Sequence, residues 1–319
     1  MLKRIISNIK TNQQLRRKVE TGNKAQDNVW LYNFWKVRAE DMWLTRFLRY
    51  HGLMPSNKRF SFYSVFGNRR VVNYDNREVK IFITGENVHS HNFRAYSDNM
   101  LSEKKIDLSL GFDYIDDARY VRMPLWLRTQ FAPEWSEKEI IEHVNRLRYP
   151  GIGERDKFAA LVARYDWGNT RSQIYESLKN VGHIQCPSKV LHNDETLKTE
   201  FNDDKPAYLR QFCFNVCPEN SNYKGYVTEK MFDAVASGCI PIYWGSDNQP
   251  EPDVLNHEAI ILWSIGGDNS QNVSKIQHLW ENKGELNDFL HQPRLKDGAE
   301  EKILLMFNKL EDKFKQVLS

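Results

Sequence analysis

Residues 212–244, FCFNVCPENSNYKGYVTEKMFDAVASGCIPIYW, contain the pattern that decides the fold. Phe212–Val216 is a short apolar run of the kind that forms a buried strand. After a polar loop, Val227–Ser237 has the spacing of an amphipathic helix that Gly238 ends, and Cys239–Trp244 predicts a second buried strand. A helix between two buried strands is typical of a parallel sheet, because a crossover must return the chain to the same edge.

The same alternation of apolar runs and amphipathic helices extends over nearly the whole chain. It predicts two doubly wound α/β units with a hinge at Pro150–Gly153. In such folds the ligand lies at the carboxyl ends of the strands, so we expect a cleft there. The predicted division is 1–149, 150–297 and a terminal amphipathic helix at 298–319. Further strands are predicted at Val29–Phe34, Phe60–Phe66, Val79–Thr84, Ile106–Phe112, Tyr120–Leu127, Phe158–Ala163 and Ile260–Trp263, and further helices at Arg38–Tyr50, Glu137–Arg148, Asn169–Asn180 and Glu300–Val317.

Composition excludes several classes of protein. The apolar content of 40% and charged content of 27% are those of a soluble globular protein. A net charge of +3 is too balanced for nucleic acid to be the main partner. The four cysteines, Cys186, Cys213, Cys217 and Cys239, lack the paired spacing of a zinc site. Three of them lie in apolar, strand-like runs and are predicted to be buried thiols, which fits a reducing compartment.

The first 18 residues are basic and have apolar residues at helical spacing. No run of about 18 apolar residues predicts a transmembrane helix, and no apolar core of a secretory signal is present in the first thirty residues. Two interpretations stay open: a helix resting on an anionic membrane face, or a solvated helix. The basic residues are Lys3, Arg4, Lys10, Arg16, Arg17 and Lys18, and the apolar ones are Leu2, Ile5, Ile6 and Ile9.

Two cations are predicted in the first turns of two helices. Lys230 lies in the turn that begins at about Thr228, and Arg171 follows Thr170, a predicted N-cap with Gln173 completing a capping box. Each cation opposes the helix dipole at a cost of about 0.3–1 kcal/mol. Such local conflicts concentrate at functional sites, and cations with free backbone N–H groups suit a pyrophosphate. The alternative for each residue is a solvated surface charge.

A carboxylate is predicted at the carboxyl end of a strand in the first unit. Glu86 follows the Val79–Thr84 strand, and Gly85 lets the backbone turn there. A partly buried glutamate at such an edge is a candidate general base, against the alternative of a plain loop residue. His89 and His91 are candidates for an acceptor site or for ordinary surface histidines.

Other chemical motifs are absent from the sequence. It contains no Walker A motif, no G-x-G-x-x-G and no G-x-S-x-G. It also contains no Asp-x-Asp, the usual motif with which a metal-dependent sugar transferase holds the metal of its nucleotide.

The donor-site stretches resemble the α1,3/4-fucosyltransferases of glycosyltransferase family 10, bacterial type. The resemblance is carried by Tyr226–Lys230 (YVTEK), Ile240–Ser246 (IPIYWGS) and Phe214–Ser221 (FNVCPENS). It extends over roughly residues 29 to 265. Upstream, the matching stretches are Thr84–Asn87, Gly111–Asp113 and Tyr120–Leu125.

The resemblance implies a GT-B fold of two Rossmann-like domains and inverting transfer of fucose from GDP-fucose to an N-acetyllactosamine-type glycan. It implies that Glu86 is the base, that Arg171 and Lys230 hold the diphosphate, and that Glu229 stabilises positive charge. It further implies that Asn220, Tyr226 and Glu229 line the ribose and fucose, and His89, His91 and Arg122 are the acceptor candidates. No metal or cofactor is required, although stimulation by divalent cations stays open. The implied location is the bacterial cytoplasm, with optional membrane contact through residues 1–18.

Other functions stay open at this stage. A GT-B transferase with another nucleotide sugar would keep the same diphosphate site, and an inactive glycan-binding module would bind without turnover. A two-carboxylate glycosidase would not need a diphosphate site. The family often has Ser-Asn where this chain has Arg164-Tyr165, which bears on the donor contacts of that loop.

Overall fold

The computed structural model describes residues 2–20, 28–35, 37–54 and 57–319, with side chains from residue 7 onward. The chain divides into two compact units. Unit 1 is Met1–Trp135 with Leu305–Ser319, and unit 2 is Ser136–Leu304. The division therefore differs from the predicted one, and the Pro150–Gly153 segment lies within unit 2.

The described strands of unit 1 form one parallel sheet in the order β1-β2-β3-β4-β5. The strands are β1 Val29–Tyr32, β2 Phe60–Tyr63, β3 Val79–Ile83, β4 Leu108–Gly111 and β5 Tyr120–Arg122. The helices that begin in this unit are α1 Leu2–Glu20, α2 Trp43–Tyr50 and α3 Leu125–Gln130. Strands β2, β3 and β4 are buried throughout, which explains their continuous apolar runs. Strand order follows the chain here, so all five carboxyl ends lie along one edge.

The predicted Tyr120–Leu127 strand is wrong beyond Arg122. Strand β5 ends at Arg122, and α3 begins at Leu125. Pro124 separates them with φ −63° and ψ 155°, and it precedes the helix in the N-cap position. Because proline cannot donate to a ladder and its fixed φ suits a helix start, the apolar run changes from strand to helix at this residue.

The last helix, α11 (Ala299–Leu318), completes the core of unit 1. Phe307 packs against Trp43, Phe47 and Phe131, with ring centroids 5.9, 6.4 and 5.9 Å away. Glu311 pairs with His51 at 3.0 Å. The helix was predicted as a separate segment, but its residues from Leu305 onward belong to the compact unit formed by the first 135 residues.

The second half of α1 packs against unit 1. Leu15 and Val19 are buried, and the Arg16 guanidinium lies 5.5 Å from the Tyr74 ring centre. Lys18 Nζ donates to Asn33 Oδ1 at 2.8 Å. Part of the basic face is therefore engaged within its own unit. The side chains of residues 2–6 lie outside the described part of the chain, and membrane contact through residues 1–18 stays a prediction.

The described strands of unit 2 form a second parallel sheet, in the order β10-β9-β8-β6-β7. The strands are β6 Lys157–Ala160, β7 Ile184–Gln185, β8 Phe212–Val216, β9 Ile240–Tyr243 and β10 Ile261–Leu262. The helices are α4 Glu137–Arg148, α5 Thr170–Leu178, α6 Thr196–Thr199, α7 Lys205–Leu209, α8 Glu229–Ala236, α9 Ser270–Glu281 and α10 Lys283–Leu290. The predicted reversal of strand order that defines a doubly wound sheet is found here, at β6.

One apolar core joins this sheet to its helices. Phe158 of β6 contacts Phe214 and Trp280, with ring centroids 5.3 and 5.2 Å apart. Ile174 and Leu178 of α5 are fully buried in the same cluster. Burying such a side chain contributes about 1.5–3 kcal/mol, so the core holds the first turn of α5 in place at the carboxyl edge of the sheet.

Helix α4 belongs to unit 2 rather than to the first domain, where the sequence placed it. Ser136 and Glu139 form a capping box at its start. At its end, Arg148 Nη2 donates to Lys296 O at 2.9 Å and pairs with Glu300. These contacts bind α4 to the last residues of unit 2, which explains why the division falls before Ser136.

Candidate active site

The reversal of strand order locates a cavity in unit 2. Strand β6 lies between β7 and β8, so the loops that leave β6 and β8 diverge at their carboxyl ends. Ligands of doubly wound sheets bind at this switch point. A cavity lies there, and three of its lining side chains are cationic. It is lined by Val162, Arg171, Lys205, Asn215, Val216, Cys217, Pro218 and Lys230.

Arg171, the second residue of α5, is only 3% exposed. Its Nη2 donates to Pro218 O at 2.9 Å and to Asn220 Oδ1 at 3.0 Å. Its Nη1 is buried and has no hydrogen-bond partner among the described residues. Burial lowers the pKa of the guanidinium from its usual value. A buried donor left without an acceptor is costly, and an anionic oxygen in the cavity would satisfy it.

The predicted capping box at α5 is wrong. Thr170 already has helical angles, φ −61° and ψ −43°, and Asn169 precedes it at φ 57°. Asp166 caps the helix instead: its carboxylate accepts from the backbone N–H groups of Arg171 and Ser172, at 2.8 and 2.9 Å. Left-handed residues in the loop turn Asp166 back over the helix start. These two N–H groups are therefore occupied, and the cavity depends on side chains.

Glu219 is a buried carboxylate that sequence reasoning missed. It is fully buried, three residues past the end of β8. It accepts from the Thr228 backbone N–H and hydroxyl, each at 2.7 Å, and from the Tyr243 hydroxyl at 3.3 Å. A Cβ at Gly245 would lie 2.8 Å from its Cγ, so only glycine fits there. A lone glutamate directly after a buried strand was the available signal.

The sequence suggested that the charge of Lys230 is uncompensated, but the structure pairs Lys230 with carboxylates. Its Nζ lies 3.1 Å from Glu229 and 3.4 Å from Glu219, and donates to Thr228 Oγ1 at 2.9 Å. Burial alone would lower the pKa of Lys230, but the two carboxylates outweigh it and the pKa is raised. Burial likewise opposes ionisation of Glu229, yet Lys230 lowers the pKa of that carboxyl. The pair therefore stays charged, with Glu219 beneath it.

The remaining donor-site candidates lie in the same loop after β8. Asn220 is exposed and its amide oxygen accepts from Arg171. Tyr226 is buried, two residues before Thr228. The structure therefore forms two bonded pairs from these candidates, Arg171 with Asn220 and Lys230 with Glu229, and Lys230 also contacts Glu219.

A larger groove lies beside α5 but has a different character. Its volume is about 600 Å³, and Glu176 is its only charged lining residue. It is lined by Asn169, Ser172, Gln173, Glu176, Ser177, Trp263, Ser264, Gly266, Gly267 and Asn269. The cavity with three cations has a volume of only about 10 Å³, but its charges attract an anion more strongly than the groove does.

Glu86 is a half-buried residue three positions past the end of β3. Its backbone N–H donates to Thr84 Oγ1 at 2.9 Å, and Arg128 Nη2 donates to Thr84 O at 2.9 Å. A Cβ at Gly85 would lie 3.0 Å from Leu125 and 3.1 Å from Arg128. Close packing therefore disfavours a side chain at Gly85, and no left-handed turn is involved. These contacts fix the loop that carries the carboxylate.

The acceptor candidates of unit 1 separate into two groups. His89 Nε2 lies 2.9 Å from Asp113, which also accepts from Asn99 at 2.6 Å. Arg122 donates to Phe112 O at 2.9 Å and lies 4.3 Å from the ring centre of Tyr114. His89 and Arg122 thus lie around the loop that follows β4. His91 is exposed and lies outside this group.

All four cysteines are buried free thiols, which confirms the burial predicted for three of them. Burial raises the pKa of Cys186 to about 12 and that of Cys239 to about 11. Thiols with such pKa values are poor nucleophiles near neutral pH, so they belong to the core. Within the described residues no three His, Cys, Asp or Glu side chains are placed to hold a metal ion, and metal independence stays a prediction.

Comparison with known protein families gives matches in both units. Residues 29–128 match the alpha-(1,3)-fucosyltransferase FucT N-terminal domain, and residues 153–291 match the glycosyltransferase family 10 (fucosyltransferase) C-terminal domain. The chain belongs to glycosyltransferase family 10. All three donor-site stretches and the Glu86 loop of this family 10 chain lie inside the matched residues.

Individual relatives agree with this family. The chain is 28% identical over 259 residues to the alpha-(1,3)-fucosyltransferase FucT of Helicobacter pylori. The match covers 72% of this chain and 50% of that protein. It thus spans about half the length of that curated relative.

Among the described helices, none has the length and apolar character needed to cross a membrane.

Solved structures confirm the predicted GT-B fold of two parallel-sheet α/β units. A crystal structure of an alpha1,3-fucosyltransferase has a TM-score of 0.59 and 23% identity, with 89% of each chain covered. A crystal structure of alpha1,3-fucosyltransferase with GDP-fucose has a TM-score of 0.55 and 21% identity, with 93% of this chain and 95% of that chain covered.

Proposed function

We propose that this family 10 chain is an inverting α1,3-fucosyltransferase. It moves L-fucose from GDP-fucose to the GlcNAc or Glc hydroxyl of an N-acetyllactosamine-type glycan. The observation that carries the proposal is the cationic cavity of unit 2, which is lined in part by Arg171, a residue whose buried Nη1 has no partner among the described residues. The Helicobacter relative named alpha-(1,3)-fucosyltransferase and the solved relative with GDP-fucose support the donor and the linkage.

Arg171 and Lys230 hold the diphosphate of the donor in this proposal. Arg171 Nη1 supplies a donor that needs no rearrangement, because Nη2 already holds the guanidinium against Pro218 and Asn220. Lys230 supplies a second cation that its carboxylate partners keep protonated. As the glycosidic bond breaks, negative charge grows on the leaving GDP. Fixed cations in a buried site stabilise that charge most, because they do not reorganise during the reaction.

Glu229 and Glu219 have different roles. Glu229 is partly exposed beside Lys230 and provides negative charge for the oxocarbenium-like fucosyl group. Glu219 is buried beneath it and acts through other residues: it holds Thr228, and with it the first turn of α8 that carries Glu229 and Lys230. Asn220 and Tyr226 contact the ribose and fucose in this proposal.

Glu86 is the proposed general base of unit 1. A base must reach the acceptor hydroxyl, and its carboxylate must stay partly solvated yet fixed in position. Two observations support this role: Glu86 is half-buried, and its loop is held by Thr84 and Arg128. Removal of the acceptor proton lets the oxygen attack the face opposite to GDP, which inverts the anomeric carbon. His89, His91 and Arg122 complete the proposed acceptor side.

Metal independence follows from the same charges. The two cations supply at the diphosphate the positive charge that a metal ion would otherwise supply, so no cofactor is required and any divalent cation acts as a stimulant. We further propose that the protein works in the bacterial cytoplasm, with optional contact between residues 1–18 and the inner face of the membrane.

A transfer assay tests the proposal. The full chain is mixed with GDP-fucose and N-acetyllactosamine in the presence of EDTA, and released GDP and fucosylated product are measured. Fucosylated product in EDTA supports the donor, the acceptor class and metal independence together. GDP binding without any fucosylated product from lactose-type acceptors contradicts the acceptor, and no binding of GDP contradicts the function. Product only after a divalent cation is added contradicts metal independence alone.

A further inference from the structure

The carboxyl edge of the unit 1 sheet bears a row of residues at equivalent positions. The third residue past β1 is Trp35, the third past β2 is Phe66, the third past β3 is Glu86, and the third past β4 is Tyr114. The strands are neighbours in this order and run parallel, so these positions follow one another along one edge. Exposed aromatic residues therefore flank the strand end that carries the proposed base.

The aromatic residues on the β1–β2 side form one cluster. Trp35 is 71% exposed and Phe66 40% exposed, and their ring centroids lie 6.0 Å apart. Phe93 lies 5.5 Å from Phe66, with the rings perpendicular. Phe93 follows Glu86 in the same loop, after two successive turns. In these turns the Ser90 N–H donates to Asn87 O, and the Phe93 N–H donates to Ser90 O. The cluster is thus joined by the backbone to the carboxylate.

The loops beneath the cluster are fixed to one another. Phe66 N–H donates to Asn33 O at 2.9 Å, which joins the ends of β1 and β2. The buried Asn33 amide donates to the Tyr96 hydroxyl at 3.3 Å, and that hydroxyl donates to Gly67 O at 2.9 Å. A Cβ at Gly67 would lie 2.1 Å from Asn33 Oδ1, so no side chain fits. These polar contacts fix the loops that carry Trp35 and Phe66, although the rings themselves remain exposed.

We propose that Trp35, Phe66 and Phe93 form a stacking platform for the acceptor saccharide, an inference that rests on the proposed function. A contiguous patch of exposed aromatic rings, unlike a single exposed residue, is typical of an interaction site. A pyranose offers an apolar face for such rings and hydroxyls for the polar groups beside them. The saccharide is the expected occupant because the platform lies on the same edge, one strand away from Glu86. A fixed platform also lowers the ordering cost of binding.

The test uses Trp35→Ala and Phe66→Ala in the full chain, with Tyr50→Ala as the matched control. Tyr50 is 49% exposed and ends α2, outside the row at the carboxyl edge. Binding of N-acetyllactosamine is measured by saturation-transfer NMR, and GDP binding by calorimetry. We expect the saccharide to bind about three- to tenfold more weakly to the two platform variants, with GDP affinity unchanged and with the control like wild type.

Kinetics with GDP-fucose give a second readout, in which the acceptor KM rises and the donor KM does not. Saccharide affinity equal to wild type in both platform variants overturns the platform, as does an equal loss in Tyr50→Ala. Absence of any saccharide binding to the wild-type chain also overturns it. If the wild-type chain transfers no fucose but its saccharide binding still depends on Trp35, the platform stands and the proposed function fails.

Discussion

Replacement of Arg171 by methionine should separate ligand affinity from folding stability. Methionine has a similar length and no charge, so the substitution removes a buried cation whose Nη1 is unpaired among the described residues. It leaves Pro218 O without its donor, at a cost of about 1–3 kcal/mol. The exposed Asn220 can bond water instead. Relief of the charge's desolvation opposes this cost, so we expect the free energy of unfolding to change by about 1 kcal/mol in either direction.

GDP affinity should respond much more strongly. In the proposed complex the diphosphate loses at least one charge-assisted hydrogen bond, worth about 1.5–3 kcal/mol. This corresponds to a Kd for GDP that is about 10- to 150-fold higher. Calorimetric titration of GDP gives the affinity, and urea unfolding of the free protein gives the stability.

Arg294→Met is the matched control. Arg294 is also fully buried in unit 2, but its two terminal nitrogens donate to Ala259 O and Leu290 O, at 2.9 and 3.0 Å. Its removal relieves the desolvation of a buried cation, as in Arg171→Met, but leaves two carbonyl groups unpaired rather than one, so we expect a stability lower than that of Arg171→Met by about 1–3 kcal/mol, with unchanged GDP affinity. The reasoning is refuted if Arg171→Met binds GDP as wild type does, or if both variants weaken GDP binding equally.

Three further predictions concern the proposed base Glu86, the buried carboxylate Glu219 and the effect of Asp98 on stability at acid pH. Glu86→Gln should reduce transfer by at least about 100-fold and leave GDP affinity unchanged, because general base catalysis contributes about 10²–10⁴-fold; near-normal turnover would exclude Glu86 as the base. Glu219→Gln should destabilise the protein by about 2–3 kcal/mol in urea unfolding, because an amide nitrogen cannot accept a hydrogen bond from Thr228. Tyr243→Phe removes one longer hydrogen bond to the same carboxylate and should cost only about 1 kcal/mol. Equal losses of stability in the two variants would contradict this ranking. Burial opposes ionisation of Asp98, but hydrogen bonds from Arg69 and Ser102 lower its pKa to about 2. The stabilisation from this carboxylate is therefore present above the unfolded pKa of about 3.9 and is lost as pH falls toward 2. In Asp98→Asn the free energy of unfolding should fall less steeply between pH 5 and pH 2 than in wild type, and an unchanged slope would refute the assignment.

Local patterns predicted the secondary structure where apolar periodicity and end signals agree. Helix Glu137–Arg148 and strand Phe212–Val216 were predicted with the bounds that the structure has. The first has a capping box at Ser136, and the second is an apolar run between polar residues. The strand at Tyr120–Leu127 failed because a proline inside an apolar run changes the element without changing its hydrophobicity.

Candidate residues could be named from the sequence, but their partners could not. The sequence singled out Arg171, Lys230 and Glu86 by residue type and position relative to predicted elements. It did not show that Asp166 occupies the N–H groups of α5 or that Glu219 lies beneath Lys230. Such pairings join residues whose proximity depends on loop conformation, and left-handed turns such as that at Asn169 leave only a weak signal in sequence.

By itself the sequence determined the alternation of strands and helices and the parallel α/β class, and it named the candidate residues for binding a diphosphate and accepting a proton. These depend on periodicity and on side-chain chemistry, which are local properties. Only the tertiary structure decided that β6 lies between β7 and β8, and that α11 completes the core of unit 1. The row from Trp35 to Tyr114 also emerged only there. Strand order and long-range packing follow from which apolar faces bury one another, and many orders satisfy the same local pattern.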